Sequence, residues 1–249
     1  MKYYVISLKR TPERLEQFMS LNQCQDKVEV FEAIDGKKLT WASLEKCGIV
    51  RDPLQYYSSG GLGSATSQYI LWQRANLFNE TITIFEDDAI LHRDFFEKTE
   101  HIIRSTTAQW DFIQWGWNFD ACMEFQLPGN LSICNSSYSQ DSLRSKTDIF
   151  RQQDANPDLY RLHTSFGFMA YTISPAGARR LLKGCFPLVE KSIHIPSYYR
   201  NVLTAALDMA AVECHRQKES KSYVCFPPLA ISKNEHEIST IVDSGSLSS

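Results

Sequence analysis

Three acidic residues stand together at the end of the segment Thr81-Ile82-Thr83-Ile84-Phe85-Glu86-Asp87-Asp88. The apolar and β-branched residues before them predict a buried strand with the acids at its carboxyl end. Packed carboxylates repel one another and cost free energy unless a cation is present. Mg²⁺ or Mn²⁺ takes oxygen ligands and can bridge to a diphosphate. The pattern therefore indicates either a metal-diphosphate site or a solvated acidic turn before the next helix.

Two arginines four residues apart, Arg10 and Arg14, follow the first apolar run of the chain. Thr11-Pro12 predicts a helix start, so both arginines can lie on one face of the emerging helix. A guanidinium group binds phosphate or carboxylate in a planar, bidentate way. The alternative is an exposed helix start that carries solubilising charge.

A further carboxylate, Asp35, closes the second apolar run within Ala33-Ile34-Asp35-Gly36. At the end of a strand, an aspartate can accept hydrogen bonds from ribose hydroxyls or from the edge of a base. An isolated Asp-Gly pair is also an ordinary turn, and that alternative stays open.

These groups need a scaffold in which strand ends meet, and the order of predicted elements supplies one. Strands are predicted at 3–8, 28–33, 81–85, 111–115 and 166–173, and helices after Thr11-Pro12, over 65–79 and from 174 to about 182. Residues 58–64 are glycine- and serine-rich and are expected to form a flexible loop. The alternation favours an α/β fold with parallel strands, in which ligands bind at the carboxyl ends of the strands.

A single catalytic domain is expected over residues 1–242. Within it, residues 117–160 are polar and without clear period, which predicts a long functional loop, a lid or an acceptor-side insertion. The serine-rich residues 243–249 are expected to be a disordered tail.

Composition excludes several classes of protein. The 249 residues carry a net charge of -3 and no long basic run, so binding to nucleic acid is not indicated. Seven scattered cysteines without a C-x-x-C pair argue against a disulfide framework and a structural zinc site. No signal peptide or membrane span is recognised, so a cytoplasmic protein with at most peripheral contact at the inner face of the membrane is expected.

Five segments in order along the chain carry a resemblance to a known family. They are Ser7-Leu8-Lys9-Arg10 with Arg14, Ala33-Ile34-Asp35-Gly36, the helix from Gly63 to Trp72, Phe85-Glu86-Asp87-Asp88-Ala89, and Ala170-Tyr171-Thr172-Ile173-Ser174 through Leu181. Together they resemble glycosyltransferase family 25, the lipooligosaccharide-biosynthesis group that also contains collagen galactosyltransferases. Two positions depart from the family pattern: its early Asn is Ser7 here, and its Ser-His pair is Ser67-Gln68.

The resemblance implies a GT-A type nucleotide-sugar-binding fold, with a mixed, mainly parallel sheet flanked by helices. It also implies a D-x-D-like motif that holds Mn²⁺ or Mg²⁺ against the donor diphosphate. Glu86 and Asp88 occupy the outer positions of that motif, and His236 in the C-terminal stretch is a candidate third metal ligand. The other matching positions predict the donor site: Ser7, Leu8, Arg10, Arg14, Ala33, Asp35, Gly63 and Asp87.

An inverting transfer needs a general base that takes the proton of the acceptor hydroxyl. Asp208, after the late helix, is the nearest match to the family's aspartate, and Asp120 is the next candidate. An aspartate at a helix start is the structural alternative for Asp208. Trp115, Trp117 and Phe119 can either stack on an acceptor sugar or pack in the core.

The resemblance therefore implies an inverting hexosyltransferase that moves galactose or glucose from a UDP-sugar to a glycan acceptor such as lipooligosaccharide, which can be lipid-linked. Two alternatives stay open. One is a nucleotidyltransferase that makes activated sugars, although its usual Gly/Lys-rich N-terminal loop is missing. The other is a catalytically inactive module that binds a glycan or a nucleotide. The sequence leaves the oligomeric state open.

Overall fold

A computed structural model describes residues 1–234 of the chain. The strands are β1 Lys2–Ser7, β2 Val28–Glu32, β3 Ile82–Glu86, β4 Ile90–Leu91, β5 Phe112–Gly116, β6 Met123–Gln126, β7 Ile133–Ser136, β8 Asp158–Thr164, β9 Ala170–Ile173, β10 Ser192–Ile195, β11 Arg200–Leu203, β12 Ser222–Phe226 and β13 Ala230–Ile231. The α-helices are α1 Pro12–Asn22, α2 Trp41–Lys46, α3 Ser59–Leu77, α4 Phe95–Ser105, α5 Gln140–Arg144, α6 Thr147–Gln152, α7 Pro175–Cys185 and α8 Leu207–Arg216. Short 3₁₀ helices cover Gly36–Lys38, Pro128–Asn130 and Pro196–Tyr198.

Nine of these strands form one mixed sheet in the order β2-β1-β3-β9-β5-β12-β8-β6-β7. β1 lies between β2 and β3 and is parallel to both, and β12 is parallel to β5. The other neighbours in this sheet pair antiparallel. The predicted α/β fold with a mixed sheet and flanking helices is confirmed, but its parallel share is smaller than predicted. An apolar run predicts that a strand is buried, whereas it carries no signal for the direction of pairing.

The central strands of the sheet are buried on both faces, which the alternation of side chains along β1 illustrates. Tyr4 and Ile6 belong to the core cluster on the face covered by α3, α7 and α8. Tyr3 and Val5 point to the opposite face and pack in the cluster that includes residues of α1 and α4. Successive strand residues alternate between faces, so a strand covered on both sides must be apolar throughout. That requirement explains why β1 reads as a continuous apolar run.

The glycine-rich segment 58–64 forms the cap and first turns of α3 rather than the predicted flexible loop. The Ser58 hydroxyl caps the helix by accepting a hydrogen bond from the Gly61 amide at 3.0 Å. Glycine is needed here because α3 crosses another backbone segment closely. A Cβ at Gly63 would lie 2.5 Å from the Ile34 carbonyl oxygen, and one at Gly36 would lie 1.7 Å from the Ser59 oxygen. The glycines therefore hold the start of α3 against the end of the β2 segment.

Residues 117–160 contain regular structure where an irregular loop was expected. They form the β6–β7 hairpin, the helices α5 and α6, and the start of β8, and the three strands complete one edge of the large sheet. Strands of four residues and helices of five or six are too short to show a clear hydrophobic period. These short elements therefore could not be predicted from the sequence pattern.

Gly63→Ala should lower the free energy of unfolding by about 2 kcal/mol, because the added methyl group would overpack against the backbone of the β2–α2 connection. Thermal or urea denaturation checks this. Gly61→Ala is the matched control in the same helical turn, since its nearest contact would be the Ser58 side-chain oxygen at 3.2 Å. The control should change stability little, and equal melting of both variants would contradict the close crossing.

Candidate functional site

A cavity of about 360 Å³ opens at the carboxyl ends of the parallel strands β1 and β3. The residues that line it come from the β1–α1 connection, one side of α1, the loop after β2, the first turns of α3, the acidic segment after β3, and α6. The predicted site residues that line it are Leu8, Arg10, Arg14, Asp35, Glu86, Asp87 and Asp88. Strand ends that lie far apart in sequence thus meet at one cavity, as the parallel arrangement predicts.

Asp87 is held by the β1–α1 segment and is largely buried. One of its carboxylate oxygens accepts from the Ser7 hydroxyl at 2.8 Å, and the other accepts from the Arg14 Nε at 2.8 Å. The ion pair with Arg14 compensates the charge of this acid. Ser7, at the position of the family's Asn, therefore still donates a hydrogen bond to the acidic segment.

Glu86 and Asp88 form no ion pair among the described residues, although the nearby charge of Arg14 acts to lower the pKa of both. Burial, together with the negative charges of Asp88, Asp208 and Asp87, raises the pKa of Glu86 to about 8. Burial also raises the pKa of Asp88. One oxygen of Asp88 accepts from the Ser232 hydroxyl at 2.9 Å, whereas its Oδ1 is buried without a hydrogen-bond donor. A buried carboxylate oxygen without a donor costs free energy, and a cation, a proton or a hydrogen-bond donor would satisfy it.

Asp208 lies in the first turn of α8 and close enough to raise the pKa of Glu86. Its two oxygens accept from the backbone amides of Gly167 at 2.6 Å and of Met209 at 2.8 Å. Burial raises the pKa of the Asp208 carboxyl, and these amides oppose the shift. Gly167 also contacts Asn118, which lines the cavity, so Asp208 stands behind the cavity wall rather than in it.

The remaining predicted donor residues divide between the cavity and its support. Leu8 and Asp35 line the cavity, and Asp35 pairs with Arg10 at 3.3 Å. The Ala33 amide donates to the Ser7 carbonyl, and Ala33 lines a neighbouring shallow groove instead. Gly63 packs against backbone, while Ser59, Gly60 and Ser64 of the same helix line the cavity. Contact of Ala33 or Gly63 with a donor stays a prediction.

The sequence places this scaffold in a known family. The profile of the family described as "Glycosyltransferase family 25 (LPS biosynthesis protein)" matches residues 1–194. This chain belongs to glycosyltransferase family 25. The matched region contains β1, the glycine-led helix α3 and the acidic segment after β3, on which the resemblance in the sequence depended.

Similar family 25 proteins carry two kinds of name. A rat protein named "Probable inactive glycosyltransferase 25 family member 3" is 25% identical over 191 residues, which cover 72% of this chain and 29% of the relative. The mouse "Inactive glycosyltransferase 25 family member 3" is 25% identical, with 72% and 28% covered. An Aedes aegypti "Glycosyltransferase 25 family member" is 27% identical over 124 residues, covering 45% and 20%. This chain thus spans less than a third of the length of these relatives.

The aromatic cluster of this family 25 chain lies in the core and not at an acceptor surface. Trp115 and Trp117 have no exposed surface, and the Trp115 indole donates to the Thr172 hydroxyl at 2.7 Å. Phe119 stacks on both Trp117 and Tyr138, which also contact each other. Strand β5 is covered on both sides, so its aromatic residues pack inward. Of the two alternatives, core packing is correct for the tryptophans, and stacking on a sugar is wrong for them.

Several residues of the site carried no signal in the sequence. Ser232 contacts Asp88, and Gln140 of α5 fixes that segment by donating to the Ser232 carbonyl at 3.0 Å. Asp120, the second candidate base, is exposed and accepts from Asn234, which lines the cavity. These residues lie in segments without a periodic pattern, and their partners are distant in the sequence. The sequence pattern therefore could not show that they meet. Thr147, Asp148 and Arg151 of α6 also line the cavity.

The donor set of the cavity fits a metal that completes its coordination with a substrate. Within residues 1–234, no group of three His, Cys, Asp or Glu side chains is placed to hold a metal by itself. Mg²⁺ is commonly bound through one or two carboxylates plus substrate phosphates and water. Glu86 and Asp88 supply such a pair, and His236 lies outside the described residues.

No helix in the described part is long and apolar enough to cross a bilayer.

The raised pKa of Glu86 predicts a pH-dependent stability in the presence of a chelator. Because folding raises this pKa from its ordinary 4.5 to about 8, the native state retains a proton that the unfolded chain loses between these values. The contribution to stability is therefore present below pH 4.5 and is lost as the pH rises to about 8. One group can contribute a slope of up to about 1.4 kcal/mol per pH unit.

Glu86→Gln should flatten this slope and raise the melting temperature most at pH 8, which denaturation over pH 5 to 8 would measure. Glu29→Gln, which alters an exposed carboxylate on β2, is the control and should retain the wild-type slope. An unchanged slope in Glu86→Gln would place the titrating group elsewhere.

Proposed function

We propose that this chain is an inverting, divalent-metal-dependent glycosyltransferase that moves a hexose, galactose or glucose, from a UDP-sugar to a glycan acceptor. The observation that carries the proposal is the pair Glu86 and Asp88 beside a cavity. Burial raises the pKa of both carboxyls, and Asp88 Oδ1 is buried without a donor. Maintaining charge in this position is costly, and a cation that bridges to a diphosphate would offset the cost.

The rest of the cavity supports a nucleoside diphosphate as the ligand. Asp35, at the end of the β2 segment, can accept hydrogen bonds from ribose hydroxyls. Arg10 and Arg14 line the same cavity as the acids, so positive charge lies within reach of phosphate oxygens. Mn²⁺ or Mg²⁺ held by Glu86 and Asp88 would supply Lewis-acid stabilisation of the charge that develops on the leaving diphosphate.

For the transfer step we assign the proton to Asp208, which lies behind the cavity wall and would have to be reached by the acceptor hydroxyl past Asn118. As the acceptor oxygen attacks the anomeric carbon and the bond to the diphosphate breaks, a carboxylate must take the hydroxyl proton. Burial raises the pKa of Asp208, which brings a carboxyl group closer to the value that suits a base near neutral pH. Its oxygens keep acceptor capacity beyond the two backbone amides. The acceptor we propose is a growing surface glycan such as lipooligosaccharide, met at the cytoplasmic face of a membrane.

Asp88→Ala should remove Mn²⁺-dependent UDP binding while the fold is retained, because one of two proposed metal ligands is lost. Isothermal titration with UDP, with Mn²⁺ and with chelator, measures this, and circular dichroism verifies the fold. Asp154→Asn is the control, since that side chain is 93% exposed and pairs with Arg93 away from the cavity. Wild-type affinity for UDP in Asp88→Ala, still dependent on Mn²⁺, would eliminate the metal role of Asp88.

A second candidate, a catalytically idle nucleotide-binding module, is favoured by the names of the rat and mouse relatives, which call those proteins inactive. The two candidates share the cavity and differ in turnover. An idle module binds UDP and releases no nucleotide from any donor, whereas a glycosyltransferase slowly hydrolyses or transfers from at least one UDP-sugar.

Asp208→Asn should retain UDP affinity within about threefold and lose at least about a hundredfold in kcat, the contribution typical of a general base. The measurement is nucleotide release from a panel of UDP-sugars with Mn²⁺, using wild type, Asp208→Asn and Asp120→Asn. Wild-type turnover in Asp208→Asn would move the base elsewhere, with Asp120 tested in the same panel. If wild type releases no nucleotide from any donor yet binds UDP, the idle module is the better description.

A further inference from the structure

Arg151 of α6 lies in the wall of the cavity, and its guanidinium group has no acidic partner among the described residues. One of its terminal nitrogens donates to the carbonyl of Leu21 at 2.5 Å. Its Nε is buried and has no acceptor among the described residues. A guanidinium group offers five N–H donors, so most of its hydrogen-bonding capacity is unused in this arrangement.

The other arginines of the cavity differ in this respect. Arg14 is paired with Asp87 and Arg10 with Asp35. No carboxylate of residues 1–234 lies within 4.0 Å of the Arg151 guanidinium, although Asp148 stands one turn away on the same helix. Arg10 and Arg14 thus serve in part to balance acids of the protein, whereas the charge of Arg151 is left for a ligand.

Anchoring of α6 does not account for Arg151. The helix is fixed by Phe150, which is buried against Ile90 and Ile231, and by the backbone amide of Arg93, which donates to the Arg151 carbonyl. These contacts do not use the guanidinium group. The Leu21 carbonyl takes one N–H donor of the guanidinium group and leaves the others unused.

We infer that Arg151 binds a phosphate oxygen of the ligand in this cavity, as a specificity-determining residue for a nucleoside diphosphate. The inference rests on the proposed function and extends it to a helix of the insertion 117–160. A phosphate would accept from the terminal N–H groups that Leu21 leaves unused and would balance the positive charge, and guanidinium-phosphate pairs are strong and directional. The same chemistry would suit the donor diphosphate or a separate phosphate group, and the probes below separate them.

The test is isothermal titration of the full chain with UDP, uridine and inorganic pyrophosphate in the presence of Mn²⁺. Arg151→Gln should weaken UDP and pyrophosphate at least about tenfold, the effect of losing a hydrogen bond to a charged group, and leave uridine unchanged. Arg151→Lys keeps the charge without the planar fork and should fall between wild type and Arg151→Gln. Loss of pyrophosphate affinity with unchanged UDP affinity would assign Arg151 to a separate phosphate group.

Arg93→Gln is the matched control, because Arg93 lies beside α6, pairs with exposed Asp154 and does not line the cavity. It should change each affinity less than twofold. Wild-type affinities for UDP and pyrophosphate in both Arg151 variants would overturn the inference. If wild type binds pyrophosphate through Arg151 but not UDP, the inference about an anion stands and the proposed nucleotide-sugar donor fails. If wild type binds neither probe, both fail.

Discussion

Repulsion between three neighbouring carboxylates at the end of β3 is the constraint on which the site depends. The protein treats the three acids differently. Asp87 is compensated by Arg14 and Ser7, which come from the segment that follows the adjacent strand β1. Glu86 and Asp88 have no cationic partner within 4.0 Å among the described residues, and burial raises the pKa of each. Negative charge is thus balanced by Arg14 on one side of the segment, whereas on the other side burial disfavours it in the absence of a bound cation.

The scaffold follows from the need to bring distant segments to this point. The pairing of β1 with both β2 and β3 sets three carboxyl ends side by side, which joins the Arg10–Asp35 pair to the acidic segment. Gly36 and Gly63 allow the start of α3 to pack closely against the backbone that follows β2. Residues 117–160 contribute the other side, since α5 fixes the segment containing Ser232 and α6 supplies Arg151. The cavity is therefore formed jointly by the parallel strand ends and by this segment.

How far the sequence predicted this arrangement depended on the kind of signal. The strands β1, β2 and β3, the helix starting at Pro12 and the acidic site were predictable, because apolar runs, a Thr-Pro start and adjacent acids are local patterns. The direction of β9 was not, because pairing direction is a property of the whole sheet. Gly63 packs closely against backbone, and its contact with a donor stays a prediction, because close backbone approach and ligand contact both require glycine. Ser232 and Arg151 lie in segments whose partners are distant, so only the folded chain reveals them.

The two departures from the family pattern bear differently on activity. Ser7 replaces an asparagine and still donates to Asp87. Gln68 replaces a histidine, but its side chain is buried between α3 and β9, where the Tyr171 hydroxyl donates to it, and it does not line the cavity. Neither change removes a charged group from the acidic site. A chain with no use for a cation would be more stable with neutral side chains in place of Glu86 and Asp88, since buried charge without a partner is destabilising. The cost of burying these two carboxyl groups is the physical ground for proposing a cation at the site.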